Sequence, residues 1–390
     1  KRNYIYNKYY ELLLNNNLAY FCFCSNEKLK EEKKESIKNK KPYKYSNACK
    51  KLSKEEVEKN FKNKIIPSIR ISVNDKDHIE FFDIIKGKQT FNTSIIGDFI
   101  IKRSDGSPSF IFSNIIDDIE MKITHIIRGE DHLTNTLRQL IILKNFKTNQ
   151  PIYCHIPLIM NENNKPLSKR EKGISIESLR KKGFFPESII NYIFRLGYNC
   201  NNSNIININD MYNIFDTKNI SKSAAKYSYS NLLYWQKKII KEMNEKKLKN
   251  KIKNIKFNLI PKNKINIFLK TIKNNITFIK EIKKWEKCLF SENIKYNKNL
   301  ILKIDKNYIE YIKNIVKKSK KEDIEKNAIK YNTNIKKIYM QLRIIFTGKE
   351  NGPEIKKIIK IMKKKTISLR INQLNKLIKK NDKNIRLINK

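Results

Sequence analysis

Glycine is scarce in this chain: there are 9 in 390 residues, with 9 prolines and 2 tryptophans. Glycine lets a backbone turn at positive φ or approach a ligand closely, so its rare uses are informative. Six of the nine, Gly97, Gly106, Gly129, Gly173, Gly183 and Gly197, fall between residues 97 and 199, with three of the four histidines. That stretch predicts a shaped site in a background of Lys, Asn, Ile and Glu. Six cysteines over this length do not form a disulfide framework, and a reducing compartment fits them better. No window reaches the roughly 18 apolar residues of a membrane span, so no membrane partner is expected. The start carries no charged-then-apolar leader, and no fixed-period repeat is present. Acids are few, 38 against 84 Lys and Arg, which leaves a formal charge of +46. A hydrophobic content of 39% excludes general disorder despite that charge. The excess invites a polyanion, most simply nucleic acid. Lys, Asn and Ile also rise together when coding DNA is rich in A and T, and many lysines are then merely solvated. The charge is compatible with RNA without establishing it.

The length allows about two to four domains. Residues 4–20 place Tyr6, Tyr9, Leu12 and Leu13 on one helical stripe. The pattern is already helical at Lys1, which predicts that a longer protein precedes this chain. The runs IPSIRISV, HIEFFDII and DFIIKR alternate as strands do. Ser104-Asp105-Gly106 predicts a turn into a further strand at Phe110-Ile111-Phe112, with Asp117 and Asp118 capping the next element. Ile123 to Ile127 predicts a buried strand running into Arg128-Gly129-Glu130-Asp131-His132, and a helix with Leu137, Leu140 and Ile141 begins near Thr134. Strand, glycine-bearing turn and helix make the unit of a doubly wound α/β sheet, whose ligands sit at the carboxyl ends of the strands. Pro151 to Ile159 predicts another strand, followed by a polar turn at residues 161–164. Ser175 caps a helix with Glu177 in its first turn. Pro186 opens the next, with Ile189, Ile190 and Ile193 facing inward and Gly197 ending it. Residues 218–243 suggest a helix-turn-helix junction, and 245–390 read as basic amphipathic helices interrupted at Thr347 to Pro353.

Read alone, each candidate has a plain explanation. An Arg-Gly-Glu-Asp-His loop is ordinarily a solvated turn. His125 and His155, inside apolar runs, read as core or hydrogen-bonded histidines. Ser168-Lys169-Arg170 after a strand is a compact cation source for phosphate, able to neutralise charge on a leaving pyrophosphate, yet most such peptides are surface accidents. Cys22 and Cys24, one residue apart, with Cys49 beyond a loop, could share a tetrahedral zinc or be free buried cysteines. A fourth ligand is not evident: Tyr45 is a poor donor, and Lys50 and Lys51 are not normal ligands.

Together the motifs are more specific. RSDGSPSF, IIDDIEMKITHIIRGEDHLTNTLRQ and PLSKREKGISIESLRKKGFFPESIINYIFRLGYN, in this order, resemble bacterial-type glutamyl-tRNA synthetases of class I. YNKYYELLLNNNLAYFCFC, FDTKNISKSAAKYSYSNLLYW and LRIIFTGKENGPEI extend the resemblance over nearly the whole chain. It implies a Rossmann-like, doubly wound α/β catalytic core with an α+β insertion, followed by an all-α anticodon-binding region. The corresponding segments are 1–108 (end of the first Rossmann half and acceptor-stem insertion), 109–165 (second half), 166–240 (signature loop and stem contact) and 241–390 (anticodon helices). It implies a glutamate–tRNA ligase using ATP, Mg2+ and tRNA(Glu), monomeric and cytoplasmic, with an AT-rich organelle as the other compartment. The alternative is a catalytically inactive or truncated tRNA-binding remnant. Implied roles are Lys169, within Pro166-Leu167-Ser168-Lys169-Arg170, and Glu130, Asp131 and His132 for ATP. Arg128 would meet the glutamate side chain bidentately, with Asn114 and Phe110 beside it, and Cys22, Cys24 and Cys49 match the spacing of zinc-binding members. The sequence departs from the pattern at Pro166 (usually Lys), Phe110 (often Tyr) and Lys51, where a His would be the fourth zinc ligand. The HIGH-type signature and the leading glutamate-binding Arg do not occur in it, and the resemblance places them upstream of Lys1.

Overall fold

A computed structural model of the chain describes residues 2–40, 42–146, 148–167, 174–304 and 334–388. The chain divides into two compact units. One comprises Lys1–Leu167, Arg195–Asn202 and Tyr212–Tyr227, and the other Ser168–Phe194, Ser203–Met211 and Ser228–Lys390.

The first unit is built on strands. Helix α1 (Asn3–Asn15) leads into β1 (Ala19–Cys22), and α2 (Asn26–Lys38) and α3 (Lys54–Lys62) precede β2 (Ser68–Ile71). A hairpin follows, β3 (His78–Asp83) and β4 (Gly87–Asn92), and then β5 (Phe99–Lys102). Helix α4 (Phe110–Glu120), β6 (His125–Gly129), α5 (Leu133–Leu143), β7 (Ile152–Ile156) and β8 (Ile159–Met160) complete the continuous part. β1, β2 and β5 form an antiparallel sheet in the order β1-β2-β5. The second sheet runs β4-β3-β7-β6, with β3, β7 and β6 mutually parallel and β4 antiparallel at one edge. β6, α5 and β7 thus make the parallel crossover expected of a doubly wound core. β3 alternates exposed and buried residues, placing Ile79, Phe81 and Asp83 inward. Ile79 and Phe81 meet Leu137, Leu140 and Ile141 of α5 and Phe112, Ile115 and Ile116 of α4 in one core.

Four local expectations are corrected. Phe110 to Phe112 is the start of α4, not a strand: Ser109 accepts the Phe112 N–H, and Phe112, Ile115 and Ile116 recur at helical spacing. Asp117 and Asp118 therefore lie within that helix rather than capping the next. On α1 the buried residues are Tyr6, Tyr10 and Leu13, because i, i+4, i+7 share a face; Leu12 is exposed and Tyr9 lies on the flank. Among the described residues β6 pairs on one side only, with β7, and is more exposed than the buried strand expected; His125 faces outward. The strand β4 carries too little apolar periodicity to be seen in the sequence; pairing with β3 defines it.

The second unit is helical. It contains α6 (Ile176–Lys182), α7 (Pro186–Arg195) and, across a boundary between the units, α8 (Ile208–Ile214). The short β9 (Ala225–Lys226) belongs to the first unit, where it pairs with β8. With the 3-10 turn Thr217–Asn219, it replaces the expected helix-turn-helix. After it come α9 (Tyr229–Glu242), α10 (Glu245–Lys251), α11 (Ile265–Ile272), α12 (Glu281–Phe290) and α13 (Lys298–Leu302), then α14 (Ile335–Thr347), α15 (Ile355–Ile361) and α16 (Lys364–Ile388). Ser175 caps α6 as expected, by accepting the Ser178 N–H. On α7, Ile189 is buried but Ile193 is exposed. The buried face is centred on Ser188, Asn191 and Tyr192, tied to Gln236, the Ile206 carbonyl and the Ser228 N–H. A single apolar core runs from Phe185 through Ile240, Phe268, Leu289, Leu342 and Phe346 to Leu374. Among the described residues no helix is long and apolar enough to cross a membrane.

Arg370 lies wholly inside this helical core with no carboxylate partner among the described residues. Its guanidinium donates to the Phe346 carbonyl in the last turn of α14 and, at 2.6 Å, to the Ser291 carbonyl just past α12. Carbonyls at helix C-termini are unmet by their own helix and carry partial negative charge, so they substitute for an acid. Burial pushes the Arg370 pKa down. Arg370→Lys keeps a charge but not the planar fork that reaches both oxygens. It is expected to cost about 2 kcal/mol through one unmet carbonyl. Both tryptophans, Trp235 and Trp285, lie in this unit, so urea unfolding followed by tryptophan emission should show a lower midpoint. An unchanged midpoint would refute the role.

Candidate active site

Three parallel strands bring one charged or titratable side chain each to their carboxyl ends: Asp83 ends β3, Arg128 is next to last in β6 and His155 next to last in β7. Arg128 and His155 stand side by side in the register of β6 and β7. This is the edge at which open α/β sheets bind ligands.

Asp83 is fully buried, and both of its oxygens are occupied. One accepts the N–H groups of Ile85 and Lys86, each at 2.9 Å. The other accepts the backbone N–H of His155 at 3.0 Å and its Nδ1 at 2.6 Å. An ionised carboxylate only accepts, so Nδ1 carries the imidazole proton and Nε2 is bare. Nε2 faces Nε of Arg128 at 3.3 Å and the Thr136 hydroxyl at 2.8 Å. Arg128 Nη2 donates to the Thr136 hydroxyl and, at 2.7 Å, to Oε1 of Gln139. Gln139 in turn donates from Nε2 to Oδ1 of Asn114. Arg128 is half-buried, and its acceptors are all neutral. Among the described residues it has no ion pair, and Asp118 and Asp131 act on it only from a distance. The result is a fixed cation without a counter-ion.

Of the expected site residues, Arg128 and Asn114 are joined through Gln139. Phe110 is at the start of α4, largely exposed. Glu130, Asp131 and His132 form the 3-10 turn that links β6 to α5. Glu130 pairs with Lys86 and accepts the Leu158 N–H at 3.2 Å; the Lys86 ammonium holds its carboxyl below the usual range. His132 hydrogen-bonds Asn135 at 3.0 Å. Pro166 bridges Met160, and the Leu167 N–H reaches the Ile159 carbonyl at 2.7 Å. Ser168, Lys169 and Arg170 lie outside the described residues. Sequence reading missed Asp83, Thr136 and Gln139. A signal existed for Asp83, an acid in the inward register of an alternating strand. His155 is the hydrogen-bonded core histidine that was expected.

A second constellation lies at the end of β1. The sulfurs of Cys22, Cys24 and Cys49 are within 4.8 Å of one another. Tetrahedral zinc with Zn–S bonds of about 2.3 Å needs sulfurs about 3.8 Å apart, so the spacing suits it. The Tyr45 hydroxyl lies 3.6 Å from Cys22 Sγ and 3.3 Å from Cys24 Sγ, and accepts the Cys49 N–H at 3.0 Å. Lys51, the other position considered for a fourth ligand, is exposed. Arg70 Nε donates to Cys22 Sγ at 3.2 Å, and its guanidinium lies 3.8 Å above the Tyr45 ring. Burial alone would push the Cys22 thiol up, but hydrogen bonds from Arg70 and Tyr45 bring it below its ordinary value.

Burial holds the His155 pKa below its ordinary 6.5; Arg128 and His132 act in the same direction, and Asp83 opposes them. The unfolded chain therefore takes up this proton first on acidification. The stability carried by neutral His155 is present above that ordinary value and lost as pH falls through the folded value. In nitrogen-15 spectra of the folded protein at pH 6.5, His155 should show a neutral ring with its proton on Nδ1. Half-protonation there would contradict the network.

Comparison with known proteins finds two families matched in succession along the chain. The family described as "tRNA synthetases class I (E and Q), catalytic domain" matches residues 1–234, and "Anticodon binding domain" matches residues 229–375. Glutamate--tRNA ligase 1 of Coxiella burnetii (strain CbuG_Q212) is 36% identical over 379 residues, covering 96% of this chain and 82% of the relative. Glutamate--tRNA ligase 2 of Nitrosococcus oceani is 32% identical over 368 residues, 93% of this chain and 78% of the relative. The crystal structure of a glutamate tRNA ligase from Elizabethkingia meningosepticum in complex with its amino acid superimposes with a TM-score of 0.80 at 26% identity. That match covers 96% of this chain and 82% of the other.

Proposed function

Because the chain belongs to the class I tRNA synthetases for glutamate and glutamine, as a member of the glutamate–tRNA ligase family, we propose that it joins glutamate to tRNA(Glu) with ATP. In the first step a carboxylate oxygen of the glutamate α-carboxyl attacks the α-phosphorus of ATP. The bond to the bridging oxygen breaks, and pyrophosphate leaves with the electron pair. In the second step the terminal ribose hydroxyl of tRNA attacks the carbonyl carbon of glutamyl-adenylate, losing its proton as AMP departs. The enzyme contributes position and charge stabilisation, with no covalent intermediate on the protein. Mg2+, bound with ATP, neutralises phosphate charge.

The observation that carries this reading is Arg128, held at the carboxyl ends of parallel strands by neutral acceptors alone. Such a cation suits the side-chain carboxylate of glutamate, which meets Nη1 and its two N–H groups. Asn114 and Phe110 flank that carboxylate. Glu130, Asp131 and His132 line the ATP side, with the Glu130 carboxylate kept ionised by Lys86. Lys169, with Pro166, Leu167, Ser168 and Arg170, contacts the ATP phosphates. In this reading residues 1–108 carry the end of the first Rossmann half and the acceptor-stem insertion, and residues 109–165 the second half. Residues 166–240 carry the signature loop and stem contact, and the Lys-rich helices of 241–390 grip the tRNA backbone. In a charging assay Arg128→Gln should raise the KM for glutamate about 100-fold, the worth of a lost charge-assisted contact, while the KM for ATP stays near its original value. An unchanged glutamate KM would overturn the assignment.

Cys22, Cys24 and Cys49 would hold a structural zinc, with the Tyr45 hydroxyl oxygen as fourth ligand. The convergence of three sulfurs and one oxygen supports this. It would fasten β1 to the loop that carries Cys49. Elemental analysis of protein purified without chelator should find about one zinc per chain, and much less in Cys49→Ser. A metal-free natural protein under those conditions would refute the site.

A further inference from the structure

One buried pair has no task in the reaction so far. Asp83 and His155 are both fully buried and lie 72 residues apart in sequence. The apolar core beside them is formed by Phe81, Tyr153 and side chains of α4 and α5. Burying an ionised carboxylate is costly unless it is fully hydrogen-bonded, and here four N–H donors are gathered to satisfy it. We propose that Asp83 and His155 are positioning residues for glutamate recognition. The Asp83 carboxylate fixes the His155 tautomer so that a bare Nε2 faces Arg128 and holds its guanidinium in the orientation that meets the substrate carboxylate. The inference rests on the proposed function and deepens it.

The donor inventory shows what the arrangement achieves. An arginine side chain has five N–H groups. The one on Nε goes to His155, and Nη2 donates to Thr136 and to Gln139. Among the described residues no hydrogen bond uses Nη1. The guanidinium is a rigid plane, so anchoring one edge at two nitrogens fixes where the third points. Orientation prepared before the ligand arrives does not have to be supplied by binding energy. The sign of the His155 contact depends on its tautomer. With the proton on Nδ1, Nε2 attracts the Arg128 N–H. With the proton on Nε2, two N–H groups would face each other and Arg128 would turn away. Thr136 cannot fix this choice, because its hydroxyl both donates and accepts; only Asp83, acceptor through both oxygens, does.

The test uses the whole natural protein and the charging of tRNA with radiolabelled glutamate, varying glutamate and ATP separately. Asp83→Asn keeps size but offers only one accepting oxygen: with it toward Ile85 and Lys86, the amide N–H2 faces His155, which then accepts on Nδ1 and carries its proton on Nε2, while the His155 backbone N–H loses its acceptor. The KM for glutamate should rise about tenfold, which corresponds to about 1.4 kcal/mol of lost transition-state binding. kcat at saturating glutamate and the KM for ATP should stay within about twofold. Nitrogen-15 spectra should show the ring proton moved to Nε2. Should Asp83→Asn fail to fold, the pair His155→Gln and His155→Leu decides. An amide oxygen can replace Nε2 as acceptor for Arg128 and a leucine cannot, so Gln should keep a glutamate KM near the original and Leu should lose it about tenfold. Melting temperatures measured alongside separate a stability loss, which would not split the two KM values. Equal glutamate KM values in the Gln and Leu variants, or a loss of kcat and ATP affinity with glutamate KM unchanged, would overturn the proposal. If the natural protein charges tRNA normally and only the variants fail to split, the synthetase reading stands and this inference falls. If the natural protein itself shows no glutamate-dependent charging, both fall.

Discussion

One buried carboxylate sets the geometry at the carboxyl edge of the parallel strands. Asp83 gathers the turn after β3 and both donors of His155 onto two oxygens. Through His155 it reaches Arg128, and through Arg128 and Gln139 it reaches Asn114 on α4. A chain of hydrogen bonds therefore crosses from β3 through β7 and β6 to the helical layer in a low-dielectric interior. There each bond is stronger than in water, and each unmet group is more costly. The core supplies stability, but the direction of the Arg128 guanidinium comes from this chain of bonds.

The parts of the fold that repeat at a fixed period were legible in the sequence. The alternation of residues 78–83 marked β3, and Leu137, Leu140 and Ile141 marked α5, because a half-buried strand and an amphipathic helix each leave a periodic trace. Caps were legible too, as Ser175 shows. Errors arose where a short apolar run suits either structure. Phe110 to Phe112 looks like a strand until Ser109 and the later Ile115 and Ile116 are counted with it. β4 left no trace, since its order comes from a partner strand rather than from its own side chains.

The candidate site was legible by halves. Arg128, Asn114 and the Glu130-Asp131-His132 turn come from motif order, and the three cysteines come from spacing. Their supports do not. Asp83 and His155 meet across 72 positions, and Thr136 and Gln139 are ordinary helix residues until folding points them at Arg128. Tyr45 is similar: a poor ligand by residue type, it gains its position from Arg70 stacked on its ring and from the Cys49 N–H at its oxygen. Contacts that are nonlocal and made by common residue types leave no local pattern to read.

The excess of positive charge has a further consequence. At a formal charge of +46 copies of this chain repel one another in solution. Salt screens such repulsion over a Debye length of about 10 Å at 0.1 M. Added salt therefore lets copies approach each other under the same conditions in which contacts between lysines and a phosphate backbone weaken.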